Sequence, residues 1–188
     1  ESVAEAERWP VQLTSRLRAE QIDLDEPIII AKTGWATDEL NAAIDQLEPS
    51  SQYDLVSLLI GVNNQYRGYS ADGYRSEFAT LLKRAIGFAA DRPARVIVLS
   101  IPDWGVTPFA AGRARAKIAA EIDRFNAINR AETIRSGAQY IDITPISRRA
   151  SIDPALIAND GLHPSGKMYT HWTELAMPIA QQILKEGL

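Results

Sequence analysis

The hydrophobic positions of this chain change their period repeatedly, and the changes mark out an alternation of helices and strands. Pro10 suits the first turn of a helix, where its missing N–H costs nothing, and Leu13 and Leu17 carry that helix to about Ala19. Residues 27–32 form a continuous β-rich run of strand length. Thr37 is placed to cap the next helix, in which Leu40, Ala43, Ile44 and Leu47 share one face. A second strand is predicted over residues 54–61, and Tyr74, Phe78, Leu81, Leu82, Ala85 and Ile86 mark the helix after it. Residues 94–101, rich in Val and Ile, read as a third strand, 110–135 as a long helix and 139–143 as a fourth strand. The pattern closes with a helix over 165–185, in which Met168, Trp172, Leu175, Ile179 and Ile183 are predicted to face inward.

Apolar strands separated by helices imply right-handed crossovers and a parallel sheet covered on both faces. The expected fold is α/β: a three-layer α/β/α sandwich with a flavodoxin-like, doubly wound sheet, in one domain over residues 1–188. The opening helix has no strand before it, whereas the first strand of a doubly wound sheet is usually central. A preceding strand is therefore expected upstream of Glu1, and the domain reads as N-terminally incomplete.

Composition narrows the partners. The chain is 46% hydrophobic, enough for a real core, but no window has the apolar length needed to span a bilayer. The net charge of −4 argues against a nucleic-acid surface, which needs a concentrated basic patch. The densest basic run, Arg113-Ala114-Arg115-Ala116-Lys117, reads as a solvated helix face. The absence of cysteine excludes disulfides, thiolate nucleophiles and cysteine metal sites. It fits the cytosol and equally a disulfide-free secreted or periplasmic protein with its leader removed. Oligomeric state is not legible.

In open α/β sheets, ligands bind beyond the carboxyl ends of the strands. Four segments follow the predicted strands: Thr33-Gly34-Trp35, Gly61-Val62-Asn63-Asn64, Pro102-Asp103-Trp104-Gly105 and, after an irregular stretch, Asp160-Gly161-Leu162-His163-Pro164. The spacing of Asp160 and His163 lets a carboxylate reach the imidazole Nδ1, leaving Nε2 as a general base. An ordinary Asp-Gly turn beside an incidental histidine has the same spacing. Gly34 and Asn63 supply an unhindered backbone N–H and a side-chain amide, the donor types of an oxyanion hole, although both residue types are also common in turns. Trp35, Tyr66 and Trp104 follow strands, as does Phe109, and are candidates to line a substrate groove or to pack in the core. His171 falls on the last helix without the carboxylate spacing of a metal site. No phosphate-binding glycine loop or EF-hand pattern is present, so nucleotide and calcium sites lack support.

The ordered set of blocks resembles the SGNH (GDSL-type) hydrolases. Asp160-Gly161-Leu162-His163-Pro164 is similar to their DxxHP block, Gly61-Val62-Asn63-Asn64 to their GxND block, and Thr33-Gly34-Trp35-Ala36-Thr37 to the block that supplies a backbone glycine. The resemblance implies His163 as base, Asp160 as its partner, and Gly34 N–H and the Asn63 amide as oxyanion donors beside the serine's own N–H. The implied reaction is acyl transfer from an ester to water through an acyl-enzyme, with no metal and no organic cofactor. Small or medium acyl esters, lysophospholipids, thioesters and acetylated sugars are all compatible substrates. Two departures stand out: Asn64 occupies the place of the block's Asp, and no GDS block is visible. The nucleophile is expected upstream of Glu1; Ser2 lacks a preceding strand and reads instead as a capping-box residue of Ser2-Val3-Ala4-Glu5. The main alternative is a non-catalytic SGNH-like module that binds carbohydrate or lipid. A flavin or nucleotide binder of similar layering lacks its glycine loop here.

Overall fold

The computed structural model describes residues 2–47 and 52–186. Its centre is the run Val96-Ile97-Val98-Leu99, every residue of which is at most 1% exposed. This strand, β2 (Val96–Leu99), lies between β1 (Val56–Leu58) and β3 (Gln139–Ile141) in the order β1-β2-β3, with both pairings parallel. Side chains alternate across a strand, so β2 feeds two cores. Val96 and Val98 join Phe78, Leu81, Leu82, Ile122 and Phe125 on one face, while Ile97 and Leu99 join Leu17, Ile141, Ile143, Met168 and Trp172 on the other. Helices α4 (Ala71–Phe88) and α5 (Arg115–Arg135) cover the first face, with α2 (Thr37–Leu47) against α4. Helices α1 (Trp9–Ala19) and α7 (Gly166–Glu186) cover the second. Two short helices, α3 (Val62–Tyr66) and α6 (Thr144–Arg148), follow strand ends. The expected three-layer α/β class is present, with three parallel strands flanked by helices.

Several local expectations differ. Residues 27–32 are not a strand: they join no ladder among the described residues, and Ile28 is 67% exposed. A β-rich composition does not make a strand without a neighbouring backbone to pair its N–H and C=O groups. The long fifth helix starts at Arg115 rather than residue 110, because two 3₁₀ turns (Trp104–Val106, Pro108–Ala110) and Gly112 at φ 75° intervene. Leu47 and Leu175 are exposed, although the helical period placed both inward. Glu48 to Ser51, and with them the turn before the second strand, lie outside the described residues.

Buried polar bonds lock the strand ends that carry the loops. The Ser100 hydroxyl accepts from the N–H groups of Ile143 (2.8 Å) and Thr144 (3.0 Å). Asn126 on α5 accepts from Ile101 N–H (2.7 Å) and donates to Thr144. Buried polar groups demand such partners, and here they fix the register between the ends of β2 and β3.

Candidate active site

The chain from Asp160 to Pro164 folds around one carboxylate. Oδ1 of Asp160 accepts the backbone N–H groups of Leu162 and His163, both at 2.9 Å, closing an Asx-type turn with Gly161 at φ 74°. Oδ2 meets the His163 ring at Nδ1, 2.6 Å away. An isolated bridge between Ile157 and Pro164, with Ala158 N–H on the His163 carbonyl (2.8 Å), anchors the loop. The carboxylate thus holds the imidazole through its backbone and its ring together, leaving Nε2 for other work.

The second occupant of Oδ2 is Ser2, whose hydroxyl donates to it at 2.6 Å. Ser2 is therefore not the cap of a following helix, as its spacing had suggested. The Glu7 carboxylate receives the Ala4 N–H instead, and the Ser2 hydroxyl points across 158 residues of sequence to Asp160. Its φ of 59° lies in the left-handed region, which is costly for a residue with a Cβ and recurs at functional turns. Packing of α1 on α7 delivers it there. Gln12 donates to Gly166 O and accepts from Thr170, fastening the N-terminal segment to the first turns of α7. That attachment joins residues 158 apart in sequence, so a linear pattern does not display it.

Burial works to raise the pKa of Asp160. The hydrogen bonds from Ser2, from the N–H groups of His163 and Leu162 and from the His163 ring outweigh it, holding the carboxyl well below the ordinary range.

Gly34 and Asn63 reach the same place from the first face of the sheet. Gly34 sits in a turn at φ 88°, a conformation glycine adopts without penalty, and its N–H has no hydrogen-bond partner among the described residues. Asn63 is the second residue of α3, whose N-cap is Gly61. Gly61 is obligatory on two counts: its φ is 121°, and a Cβ there would run into the Tyr74 hydroxyl and Ile101. The Asn63 amide donates to Trp35 O at 2.9 Å. Arg67 donates to Gly34 O (2.6 Å) and to Glu39 (2.9 Å), whose carboxylate also accepts Ala36 N–H. That backbone bond, with Arg67 beside it, lowers the Glu39 pKa.

Asn64, the departure from the family block, is wholly buried. Its amide donates to the Thr37 hydroxyl at 2.6 Å while its oxygen accepts Thr37 N–H at 3.1 Å. The Thr37 hydroxyl in turn donates to Glu77 through a short hydrogen bond. An amide suits this position because Glu77 already supplies the carboxylate. These bonds tie the start of α2, just beyond the Gly34 turn, to α3.

Gly34, Asn63, Tyr66, Trp104 and His163 all line one cleft of about 240 Å³, with Val62, Phe109, Ile157, Leu162 and Met168 among its apolar walls. Trp104 donates to Gln65 at 2.7 Å. Its loop is pinned by buried Asp103, which accepts from Gly105 N–H (2.8 Å) and Arg148 (2.9 Å). Trp35 departs from expectation: it is absent from the cleft wall and packs, half-buried, against the core cluster containing Phe78. The fastening of its carbonyl by Asn63 fits that inward role. His171 lies on α7 beside Glu174 at 3.0 Å. No cluster of three or more His, Asp or Glu side chains that could hold a metal occurs among the described residues. No described helix is long and apolar enough to cross a membrane.

The model of the GDSL-like lipase/acylhydrolase family matches residues 2–171. No curated protein matches the chain. Among solved structures, the chain is similar to TesA (TM-score 0.70, 18% identity, 96% of this chain and 91% of that one). It is also similar to Axe2, an acetylxylan esterase from Geobacillus stearothermophilus (TM-score 0.67, 14% identity, 92% and 80%). A third similar structure is the psychrotrophic esterase EstA from Pseudoalteromonas sp. (TM-score 0.54, 20% identity, 97% and 86%). At such identities the likeness is one of fold.

Proposed function

The chain belongs to the GDSL-like lipase/acylhydrolase family, and from that premise we propose that it is a serine hydrolase of carboxylic esters with Ser2 as its nucleophile. One observation carries the reading: a single oxygen of Asp160 joins the Ser2 hydroxyl and His163 Nδ1, each at 2.6 Å, and His163 lines the cleft that also holds Gly34 and Asn63. Asp160 fixes the tautomer and orientation of His163, so that Nε2 is the base. For reaction the Ser2 hydroxyl leaves Asp160 and gives its proton to Nε2 as Oγ attacks the ester carbonyl carbon. The carbonyl oxygen becomes an oxyanion that accepts from Gly34 N–H, the Asn63 amide and the N–H of Ser2. Collapse expels the alcohol, protonated by His163, and leaves an acyl-Ser2 ester. Water, deprotonated by the same imidazole, then releases the acid and restores the enzyme.

The apolar walls suit a small or medium acyl group. Axe2 and EstA are esterases by description, and the EstA structure is of an enzyme inhibited by monoethylphosphonate. The same class of reagent tests this chain. A fluorophosphonate probe is expected to label the protein covalently, with the adduct mapped to Ser2 and absent in Ser2→Ala. Labelling at another serine would move the nucleophile. An unlabelled protein that still binds acylated sugar or lipid would favour a non-catalytic binding module.

A further inference from the structure

At the cleft, three aromatic rings form a box. Tyr66 and Trp104 meet edge to face at 5.3 Å between centroids, and Phe109 lies 6.0 Å from Trp104 and 6.3 Å from Tyr66. All three line the cleft beside His163. Phe109 N–H donates to the carbonyl of Gly161, inside the Asp160–His163 turn, at 3.0 Å. The box is thus coupled to the reacting groups.

A cation sits over it. The guanidinium carbon of Arg113 lies 4.9 Å from the Phe109 centroid, 5.4 Å from Trp104 and 5.5 Å from Tyr66. These are cation–π distances. Such contacts engage the aromatic π-clouds and leave the N–H donors of the guanidinium free for a planar anion. Arg113 is exposed, and its side chain makes no ion pair or hydrogen bond among the described residues. The carboxylate that lines the same cleft, Asp103, is already paired with Arg148 at 2.9 Å, and on α5 Glu121 accepts from Gln65 at 2.8 Å and Asp123 pairs with Arg148 at 2.8 Å. Helix α5 begins two residues later with no acidic residue in its first turn and no side-chain cap, so its positive end is also uncompensated. The basic run that reads from sequence as a solvated helix face therefore contributes an oriented, unneutralised cation to the rim of the cleft.

We infer that Arg113 is a specificity-determining residue, which receives an anionic group, carboxylate or phosphate, carried by the ester that enters the cleft. The inference rests on the reading of the cleft as an ester site and names the class of ester. Selection follows from charge: a neutral ester gains nothing from Arg113, while an anionic one gains a charge-assisted hydrogen bond from a guanidinium held over the three rings.

The test compares matched esters in the full chain. Phenyl acetate and 4-acetoxybenzoate differ by a carboxylate on the leaving group; phenyl valerate and monophenyl glutarate place it on the acyl side. Arg113→Gln is expected to lower kcat/KM about 5-fold for the anionic member of one pair and less than about 2-fold for its neutral partner. The pair that responds identifies which side of the ester carries the charge. In the wild type the preference should shrink as ionic strength rises from 0.05 to about 0.5 M, where screening is strong. Equal losses for neutral and anionic esters, or no loss for either anionic one, would overturn the inference while leaving Ser2 chemistry intact. A binding measurement separates the two readings. In a Ser2→Ala background, ligand-observed NMR should show tighter binding of the anionic ester than of its neutral partner, and the difference should vanish with Arg113→Gln. No such difference would also overturn the inference.

Discussion

The Ser2 hydroxyl and the His163 imidazole occupy the same oxygen of Asp160, 2.6 Å on either side, although Ser2 and His163 stand at opposite ends of the chain. A carboxylate so placed fixes the imidazole at Nδ1 and holds the Ser2 hydroxyl beside the same turn. Its depressed pKa follows from that crowd of donors, which prevails over the cost of partial burial.

Replacing Ser2 by Ala is expected to remove covalent labelling and to lower ester turnover by more than about 10³-fold, and His163→Ala should do the same, because members of one catalytic unit fail together. Thermal unfolding checks that both variants remain folded. Both sites are partly exposed, so Tm should stay close to that of the wild type.

Asn63→Ala is expected to lower kcat by about 10²–10³-fold through loss of an oxyanion donor. The amide also fastens Trp35 O, so steady-state kinetics on p-nitrophenyl acetate should be read beside a denaturant titration. A fall in kcat with the unfolding midpoint retained assigns the loss to the transition state. A matching fall in stability assigns it to the turn.

Asp160→Asn probes the pH dependence. The folded pKa of Asp160 is depressed, so the unfolded chain binds the proton more tightly. The carboxylate therefore stabilises the fold fully at pH above the ordinary Asp value of about 3.9, and the stabilisation disappears as pH falls through the folded pKa. The stability gap between wild type and Asp160→Asn in urea should narrow as the pH falls from about 4 towards 3. A gap that does not change down to pH 3 would show that the bonds to Ser2 and His163 do not favour the ionised form.

Asn64→Asp, which restores the family's usual residue, is expected to destabilise this protein by about 2 kcal/mol at pH 7. Two carboxylates would then compete for the single proton of the Thr37 hydroxyl, and the buried one would lose its donor role. One of the pair acquires a raised pKa, so the penalty is present at neutral pH and fades as the medium becomes acidic. Adding Glu77→Gln should recover most of the loss. Denaturant unfolding of the two single variants and the double variant measures the coupling directly.

The α/β class, the paired Asp160 and His163, and the two amide-bearing turns were legible along the chain, because each depends on local chemistry: a period of apolar residues, an Asx turn, a glycine where φ is positive. Residues 27–32 were misread as a strand for the complementary reason. A strand exists only through a neighbour's hydrogen bonds, and apolar composition cannot supply the neighbour. Leu175 failed in the same way, since helical period says which residues share a face but not how wide the covering surface is. Ser2 and Trp35 were decided entirely in three dimensions. The packing of α1 on α7 carried an unremarkable N-terminal serine to Asp160, and the capture of the Trp35 carbonyl by Asn63 accompanies a ring packed on the core instead of the cleft. Sequence alone determined which chemical groups were available and which local turns would present them. The tertiary structure decided which of those groups meet, because only the docking of distant helices brings residues 2, 34, 63 and 163 within a few side-chain lengths of one another.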